Sequence, residues 1–236
     1  MPHAMISLYN KDGIAPVATA LVEAGYELWA SGGTATYLYG LGHKVNDVAR
    51  LVGGDAILNH RVVTLSREIH AGLLATNTTE DRAELEHLGI PFFDLLIVDI
   101  YDTHRVIMSG ADAMRVNEMT DIGGPAMIDS ALKGNRLIVV DRQDYEFFSG
   151  DLQRLEAAEL HRYLREKAAA FAAGYRILRF WELTGGMQHD EGQTGGYLRW
   201  YGQRPDLFPS TASFFTYLAS QITAVDVMPM DVKREL

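Results

Sequence analysis

The sequence predicts an α/β protein in three layers, with a mainly parallel sheet that is covered by helices on both faces. Residues 94–101 and 136–141 are nearly unbroken apolar runs, which are typical of strands buried on both faces. Such runs alternate with segments of helical periodicity, as parallel strands joined by crossover helices do. The 236 residues are 47% hydrophobic and 22% charged, which is enough apolar material for a core of that size.

Each predicted element rests on its own local signal. The first helix ends at Gly25, a residue typical of a helix C-cap, and the helix at residues 125–132 has Pro125 in its first turn. Residues 44–48 are a weaker candidate strand than the other apolar runs. In chain order we predict strands at residues 4–8, 26–30, 44–48, 94–101 and 136–141, and helices at residues 15–24, 34–41, 80–88 and 125–132.

The chain changes character after Asp141. Residues 152–181 are rich in Ala, Leu, Arg and Glu with helical periodicity, which predicts one or two long helices. The segment that follows is rich in Gly, Pro and aromatic residues. We therefore expect an α/β domain over residues 1–150 and a helical and extended appendage over residues 151–236, packed on the core or on a dimer partner.

Charge and composition exclude several classes of protein. A formal net charge of -10 argues against nucleic-acid binding and against an anionic membrane surface, because both select basic faces. The chain has no cysteine, which excludes disulfides, thiolate zinc sites and thiol catalysis. The amino terminus shows neither a signal peptide nor a membrane span, so a cytoplasmic location is expected.

Four polar or glycine-containing loops fall where ligands bind in a parallel sheet, beyond the carboxyl ends of the strands. They are residues 7–13, 31–35, 99–104 and 120–127. Gly32, Gly33 and Thr34 would place backbone N–H groups and a hydroxyl at a helix N-terminus, which suits a phosphate. Lys11 and Lys133 fall in or beside these loops. The alternative is that both are solvated surface lysines without a ligand.

Five segments carry a resemblance to a known family: NKDG, ASGGTA, RVVTLSREIHAGLLA, DIY and TDIGGPAMIDSALKGN. Their order and spacing resemble the IMP cyclohydrolase domain of the bifunctional purine-biosynthesis enzyme, which belongs to the methylglyoxal synthase-like superfamily. The resemblance covers residues 4–150, extends weakly through Tyr175, and touches residues 198–206, which look like the start of the transformylase domain. The thirty residues after that segment are too few for a transformylase, so the resemblance implies at most the cyclohydrolase half.

The resemblance implies a specific reaction. The family closes FAICAR to IMP with loss of water, in purine nucleotide biosynthesis, and needs no cofactor and no metal. Both reacting groups are on one substrate, so orientation can supply much of the catalysis. The family is also dimeric. We therefore expect a homodimer that acts on a small phosphorylated ribonucleotide, with the aromatic tail (Phe214, Phe215, Tyr217 and Leu218) in the interface.

The resemblance also assigns site residues. Around the phosphate and ribose it places Ser7, Lys11, Ser31, Gly32, Gly33, Thr34, Arg61 and Thr64. Against the ring it places Asp121, Ile122, Gly123 and Gly124, and it associates Tyr101, Asp121 and Lys133 with the chemistry. Plainer roles stay open: Tyr101 as a strand end, Asp121 as a helix N-cap, and the two glycines as a turn.

The sequence departs from the family pattern at several of these segments. A family lysine is Val63 here, and losing a charge-assisted hydrogen bond of this kind costs about 1.5–3 kcal/mol. The neighbouring histidine and proline are Ser66 and Arg67, and Arg67 could compensate in part for the lost charge, although nothing in the sequence shows that it points inward. Further departures, two of them acidic and so unfavourable for a phosphate ester, are Asp99, Thr103 and Asp129. The pattern therefore indicates a divergent member that acts on a changed substrate, acts slowly or only binds.

The histidines give weaker signals. We expect a structural role for His70 and surface positions for His60 and His104. Three adjacent residues, His189, Asp190 and Glu191, cannot easily converge on one metal ion, so no metal site is predicted there.

Three functions remain open from the sequence. The first is a cyclohydrolase that makes IMP or a close analogue. The second is a weakened or inactive phosphoribosyl-ligand-binding or regulatory domain of the same fold. The third is a lyase on a small phosphorylated substrate, as methylglyoxal synthase is, which the DIGGP segment disfavours.

Overall fold

The computed structural model describes residues 1–58, 61–148 and 158–183, together with Ala212, Phe215, Thr216 and Ala219. The chain forms two compact units. The first comprises Met1–Ile100 and Asp121–Ala169, and the second comprises Tyr101–Thr120 and Ala170–Leu236. The domain boundary predicted near residue 150 falls outside the described residues and stays a prediction.

The first unit contains a five-stranded, all-parallel sheet in the order β3-β2-β1-β4-β5. The strands are β1 (His3–Ser7), β2 (Glu27–Ala30), β3 (Val45–Asp47), β4 (Phe93–Val98) and β5 (Leu137–Val139). In the register of the central strands, Met5 lies opposite Trp29 of β2 and Leu96 of β4. The predicted parallel α/β fold is confirmed.

Eight α-helices occur among the described residues: α1 (Ile14–Glu23), α2 (Gly32–Gly40), α3 (Arg67–Leu74), α4 (Thr79–Leu88), α5 (Thr103–Met108), α6 (Ala113–Glu118), α7 (Gly123–Lys133) and α8 (Ala158–Leu183). Short 3₁₀ turns cover Val48–Arg50 and Arg142–Phe148. The prediction lacked α3, although Ser66 is a typical N-cap whose hydroxyl accepts a hydrogen bond from the Ile69 N–H at 3.2 Å.

Alternate strand residues face opposite sides of the sheet, and each side is covered by helices. On one side Ile6 and Ile97 are buried in a cluster with Val17 and Leu21 of α1. On the other side α3 and α7 lie against β4, and a side chain at Gly72 of α3 would overlap the ring of Phe93. The sheet is therefore the middle of three layers.

The second unit is held together by an aromatic cluster. The rings of His104, Phe171 and Tyr175 contact Phe215 edge-on, with centroids 5.8, 5.2 and 5.4 Å from its centroid. The surface position predicted for His104 is wrong, because its side chain is fully buried, and burial lowers its pKa to about 4. The other residues of the predicted aromatic tail, Phe214, Tyr217 and Leu218, lie outside the described residues.

The longest helix, α8, runs over 26 residues and confirms the predicted long helix from Ala158 onward. Among the residues that the structure describes, no helix combines the length and the apolar character that crossing a membrane requires.

Candidate functional site

Two serines join the first two strand ends at the carboxyl end of the sheet, the end at which all five parallel strands finish. Ser7 is the last residue of β1, and Ser31 precedes α2 in an extended conformation. The Ser31 side chain makes no capping bond to its own helix. Instead its hydroxyl lies 2.9 Å from the Ser7 hydroxyl. The two loops are therefore linked at the point where α2 begins.

Thr34 adds a second link between the same loops. Its Oγ1 accepts a hydrogen bond from the Leu8 N–H at 3.0 Å and donates to the Leu8 carbonyl at 3.2 Å. The side chain is 1% exposed, so this pair of bonds is shielded from water. Thr34 therefore fixes the loop after β1 against the first turn of α2.

Lys11 brings a positive charge to this turn. Its Nζ donates to the carbonyl oxygens of Leu8 and Tyr9, each at 3.2 Å. A Cβ atom at Gly33 would lie 3.9 Å from Lys11 Cε, so the lysine stem passes beside the start of α2. An ammonium group next to a helix N-terminus favours an anion. We name Ser7, Lys11, Ser31, Gly32, Gly33 and Thr34 the glycine cradle.

Asp99 ties the loop after β1 to the end of β4. Its carboxylate accepts hydrogen bonds from the backbone N–H of Tyr9 and, at 3.0 Å, from that of Asn10. The strand order reverses between β1 and β4, which is where ligands bind in open parallel sheets. The sequence predicts Asp99 as an unfavourable charge within a candidate site loop and does not predict this holding role. The available signal was an acidic residue that directly follows the centre strand.

The DIGG segment forms a second part of the same end of the sheet. Asp121 Oδ1 accepts a hydrogen bond from the Gly124 N–H at 3.1 Å, so Asp121 satisfies an N–H of the first turn of α7 from the residue before the N-cap, which is Ile122. Burial raises the pKa of the Asp121 carboxyl, against the opposing effect of the backbone N–H groups of residues 122–124. A Cβ at Gly123 would lie 2.5 Å from Thr64 Oγ1, and one at Gly124 would lie 2.6 Å from Ile100 Cγ2. Only glycine permits this approach.

The segment around Val63 lacks a replacement for the family lysine. Val63 is half-buried, and Arg61 is exposed. Arg67 is 76% exposed in its side chain and pairs with the adjacent Glu68 at 3.1 Å. Because Arg67 points to solvent and is already paired, it does not restore the charge that the family lysine supplies. Ser66, which replaces a family histidine, caps α3.

The structure does not bring Lys133 together with Asp121. Lys133 is the exposed last residue of α7, whereas Asp121 precedes the first residue of that helix. The 11 residues of α7 correspond to a length of about 16 Å. Tyr101 belongs to the second unit and follows the end of β4 by three residues. Asp129 is exposed on α7, and Ile122 is exposed beside the two glycines.

Metal binding finds no support in the part of the chain that the structure describes, where no group of three or more His, Asp or Glu side chains could hold an ion. His189, Asp190, Glu191 and His60 lie outside that part. His70 Nδ1 lies 2.7 Å from Ser130 Oγ, which links α3 to α7, and burial lowers its pKa. This contact fits the structural role expected for His70.

With this geometry the chain matches a known domain family. Residues 13–126 match the MGS-like domain. The chain thus contains an MGS-like domain with the five-stranded parallel sheet described above.

The chain is also similar to individual proteins whose names are known. The chain is 37% identical over 176 residues to the bifunctional purine biosynthesis protein PurH of Aquifex aeolicus, covering 73% of this chain and 35% of that protein. It is 37% identical over 177 residues to PurH of Myxococcus xanthus, covering 73% and 34%. The crystal structure of ForH matches with a TM-score of 0.63 at 29% identity, covering 78% of this chain and 99% of ForH. The chain is a homologue of the PurH proteins and spans about a third of their length.

Proposed function

We propose that this chain is an IMP cyclohydrolase-type enzyme of purine nucleotide biosynthesis, which closes FAICAR or a close analogue to IMP with loss of water. One observation carries the proposal most directly. The glycine cradle and the DIGG segment lie at the same end of one sheet, joined through Asp99 and Ile100 at the point where strand order reverses. The homology to PurH proteins supports the same reading.

In this proposal the cradle holds the 5'-phosphate. The first N–H groups of α2 lack acceptors within their helix, and Lys11 supplies the counter-charge. Thr64 lies against Gly123, so a ribose between them and the cradle would carry its ring to the DIGG segment. Arg61, on the chain segment that leads to Thr64, is assigned to the same phosphate and ribose.

The chemistry requires proton transfer at two nitrogens. The carboxamide nitrogen attacks the formyl carbon and forms the new C–N bond. One proton from that nitrogen and one from the formamide nitrogen then leave with the formyl oxygen as water. Burial favours the neutral form of the Asp121 carboxyl, which suits a group that both accepts and donates a proton. Tyr101 is proposed as the second proton-transfer group. The resemblance also assigns Lys133 to the chemistry, and within one chain Lys133 lies at the opposite end of α7 from Asp121.

The second candidate is a phosphoribosyl-ligand-binding or regulatory domain of the same fold. Val63 favours it, because an isopropyl group stands where the family has an ammonium group, and so does Lys133, which lies at the opposite end of α7 from Asp121. Orientation of the two reacting groups alone can nevertheless contribute several kcal/mol, up to about 7–11, to an intramolecular closure. We therefore expect slow but measurable catalysis rather than none.

Spectrophotometric measurement of IMP formation from FAICAR tests the proposal. Asp121→Asn should lower the rate at least tenfold, because Asn keeps the acceptor for Gly124 and loses the transferable proton. Asp129→Asn, on the exposed side of the same helix, is the matched control and should stay within about twofold. Val63→Lys should raise the rate by about ten- to a hundredfold if one charge-assisted contact is restored. A wild-type rate equal to the uncatalysed rate would favour the binding domain, and a slower Val63→Lys protein would indicate a different substrate.

A further inference from the structure

The first unit has a large cavity at the opposite end of the sheet, where the strands begin. It has a volume of about 620 Å³ and lies beside the starts of β2, β4 and β5. That volume is within the range of small-molecule sites. The side chains that matter here are Arg82, Phe92, Asp94, Lys133, Arg136 and His161, and we name the space they line the arginine cavity.

Two arginines enclose an aromatic ring in this cavity. The guanidinium carbons of Arg82 and Arg136 each lie 3.6 Å from the centroid of Phe92. Two guanidinium groups cannot share one face of a ring at that distance, so they occupy opposite faces. Arg82 Nε also donates to Asn77 Oδ1 at 2.9 Å. Stacking on Phe92 therefore positions both cations beside the cavity, with Arg136 buried and the Arg82 side chain 45% exposed.

Arg136 is anchored by the end of α3. It is 4% exposed and donates to the carbonyl oxygens of Leu73 at 3.1 Å, Gly72 at 3.4 Å and Ala75. These carbonyls lie at the negative end of the helix dipole, which stabilises a cation there. His161 Nε2 lies 3.1 Å from the Arg136 carbonyl oxygen, so α8 forms part of the cavity wall beside Arg136.

The cavity concentrates positive charge in a chain of net charge -10. Among the described residues that line it, Asp94 is the single carboxylate against Arg82, Lys133, Arg136 and the imidazole of His161. Asp94 Oδ1 lies 4.0 Å from Arg82, and the nearby Asp81 is engaged by the N–H and hydroxyl of Thr76. An anion in the cavity would offset the mutual repulsion of the cations.

Two helices connect this cavity with the candidate site. At their carboxyl ends, a Cβ at Gly134 would overlap the Leu73 carbonyl oxygen, so the two backbones touch there. At their amino ends, Thr64 just ahead of α3 contacts Gly123 at the start of α7. Thus α3 and α7 are joined at both ends, and each runs from the candidate site to the arginine cavity.

We propose that the arginine cavity is a second binding site, for a phosphorylated small molecule, and that its occupancy is transmitted to the DIGG segment through α3 and α7. The class of ligand follows from the two guanidinium groups stacked on Phe92 and from the volume, which accommodates a phosphate ester up to the size of a mononucleotide. The site does not depend on the cyclohydrolase proposal. The proposed coupling through α7 rests on the cyclohydrolase proposal, because it would regulate that activity.

Calorimetric titration with inorganic pyrophosphate tests the second site in wild type, three variants and one control protein. Wild type should bind at two sites, and Gly33→Val, which fills the glycine cradle, should bind at one. Arg82→Glu should also bind at one, and the double variant should lose both. Lys44→Glu reverses the same charge at an exposed lysine and should bind as wild type does.

The outcomes separate the two proposals. A Gly33→Val protein that loses all pyrophosphate binding, while Arg82→Glu binds as wild type does, would remove the arginine cavity as a site. A Gly33→Val protein that keeps both sites would instead contradict the cradle. If Arg82→Glu fails to fold, Arg82→Gln should weaken binding at the second site at least tenfold.

Hydrogen exchange tests the coupling separately. Pyrophosphate added to the Gly33→Val protein should slow exchange of the Gly123 and Gly124 amides at least twofold, although these lie at the other end of α7. Unchanged exchange at Gly123 and Gly124 would leave a binding site without coupling and overturn that part of the proposal.

Discussion

Positive charge has a different source at each end of the sheet. At the carboxyl end it comes from the start of α2 and one ammonium group, that of Lys11, with hydroxyls linking the loops. At the amino end it comes from arginine side chains fixed against Phe92 and the carbonyls of α3. A site built from backbone leaves a contiguous sequence motif, whereas a site built from distant side chains leaves none.

The largest effect should come from separating the two helices that join these ends. Gly134→Ala would place a methyl group onto the Leu73 carbonyl oxygen, which is backbone and cannot rotate away. Gly134 has φ -76°, so the cost is steric and not conformational. We expect a loss of about 3 kcal/mol in the free energy of unfolding, measured by urea denaturation, as for severe overpacking.

Gly40→Ala is the matched control for this substitution. Gly40 is the last residue of α2, and an added Cβ there would meet open space. Its free energy of unfolding should stay within about 0.5 kcal/mol of wild type or rise slightly. Equal stability of the two variants would mean that α3 and α7 are not in backbone contact.

The fold was predictable wherever burial leaves a contiguous apolar pattern. Strands β1, β2, β4 and β5 and helices α1, α2, α4 and α7 follow from apolar runs and helical periodicity. Strand β4 ends at Val98, short of the predicted residue 101, because Asp99 turns to the loop after β1. Helices α3, α5 and α6 are absent from the prediction, although Ser66 is a typical N-cap that marks the start of α3.

A smaller effect concerns ligand binding at the carboxyl end. A ligand at 100 times its Kd stabilises the folded state by about 2.7 kcal/mol, so IMP should raise the melting temperature of wild type. Gly33→Val should abolish that rise and leave the unliganded protein folded, because an added Cβ at Gly33 meets Lys11 Cε at 3.9 Å, an ordinary contact distance.

Gly40→Val, at the other end of the same helix, controls for the general effect of valine in α2. It should keep the rise in melting temperature produced by IMP. A Gly33→Val protein that IMP stabilises as much as wild type would show that the cradle does not hold the phosphate.

The site was predictable only in its contiguous parts. Ser31 to Thr34 and Asp121 to Gly124 are single segments, and the structure places both at the carboxyl end of one sheet. The position of Lys133 depends on the length of α7, which a motif alignment does not convey. The burial of His104 depends on Phe215, more than a hundred residues away, so no local pattern indicates it.

The smallest expected effect is on the pH dependence of stability. It should differ in direction between two carboxyl groups, one near each end of the sheet. Burial raises the pKa of Asp121, so its folded form binds protons more readily than its unfolded form does. Its contribution to stability is therefore complete below about pH 4, the unfolded value, and is lost as pH rises through the folded pKa.

Asp81, beside the arginine cavity, should behave in the opposite way. Hydrogen bonds from the hydroxyl and N–H of Thr76 lower its pKa. Its contribution is therefore present above about pH 4 and is lost as pH falls through the folded pKa. Urea denaturation from pH 3 to pH 7 should show Asp121→Asn gaining stability relative to wild type as pH rises, and Asp81→Asn losing it. If both variants shift in the same direction, burial at Asp121 is not the dominant influence, and the backbone N–H groups of residues 122–124 hold its carboxylate in the charged form. The proposal that Asp121 carries the transferable proton would then be wrong, although Asp121 would remain the residue that fixes the start of α7.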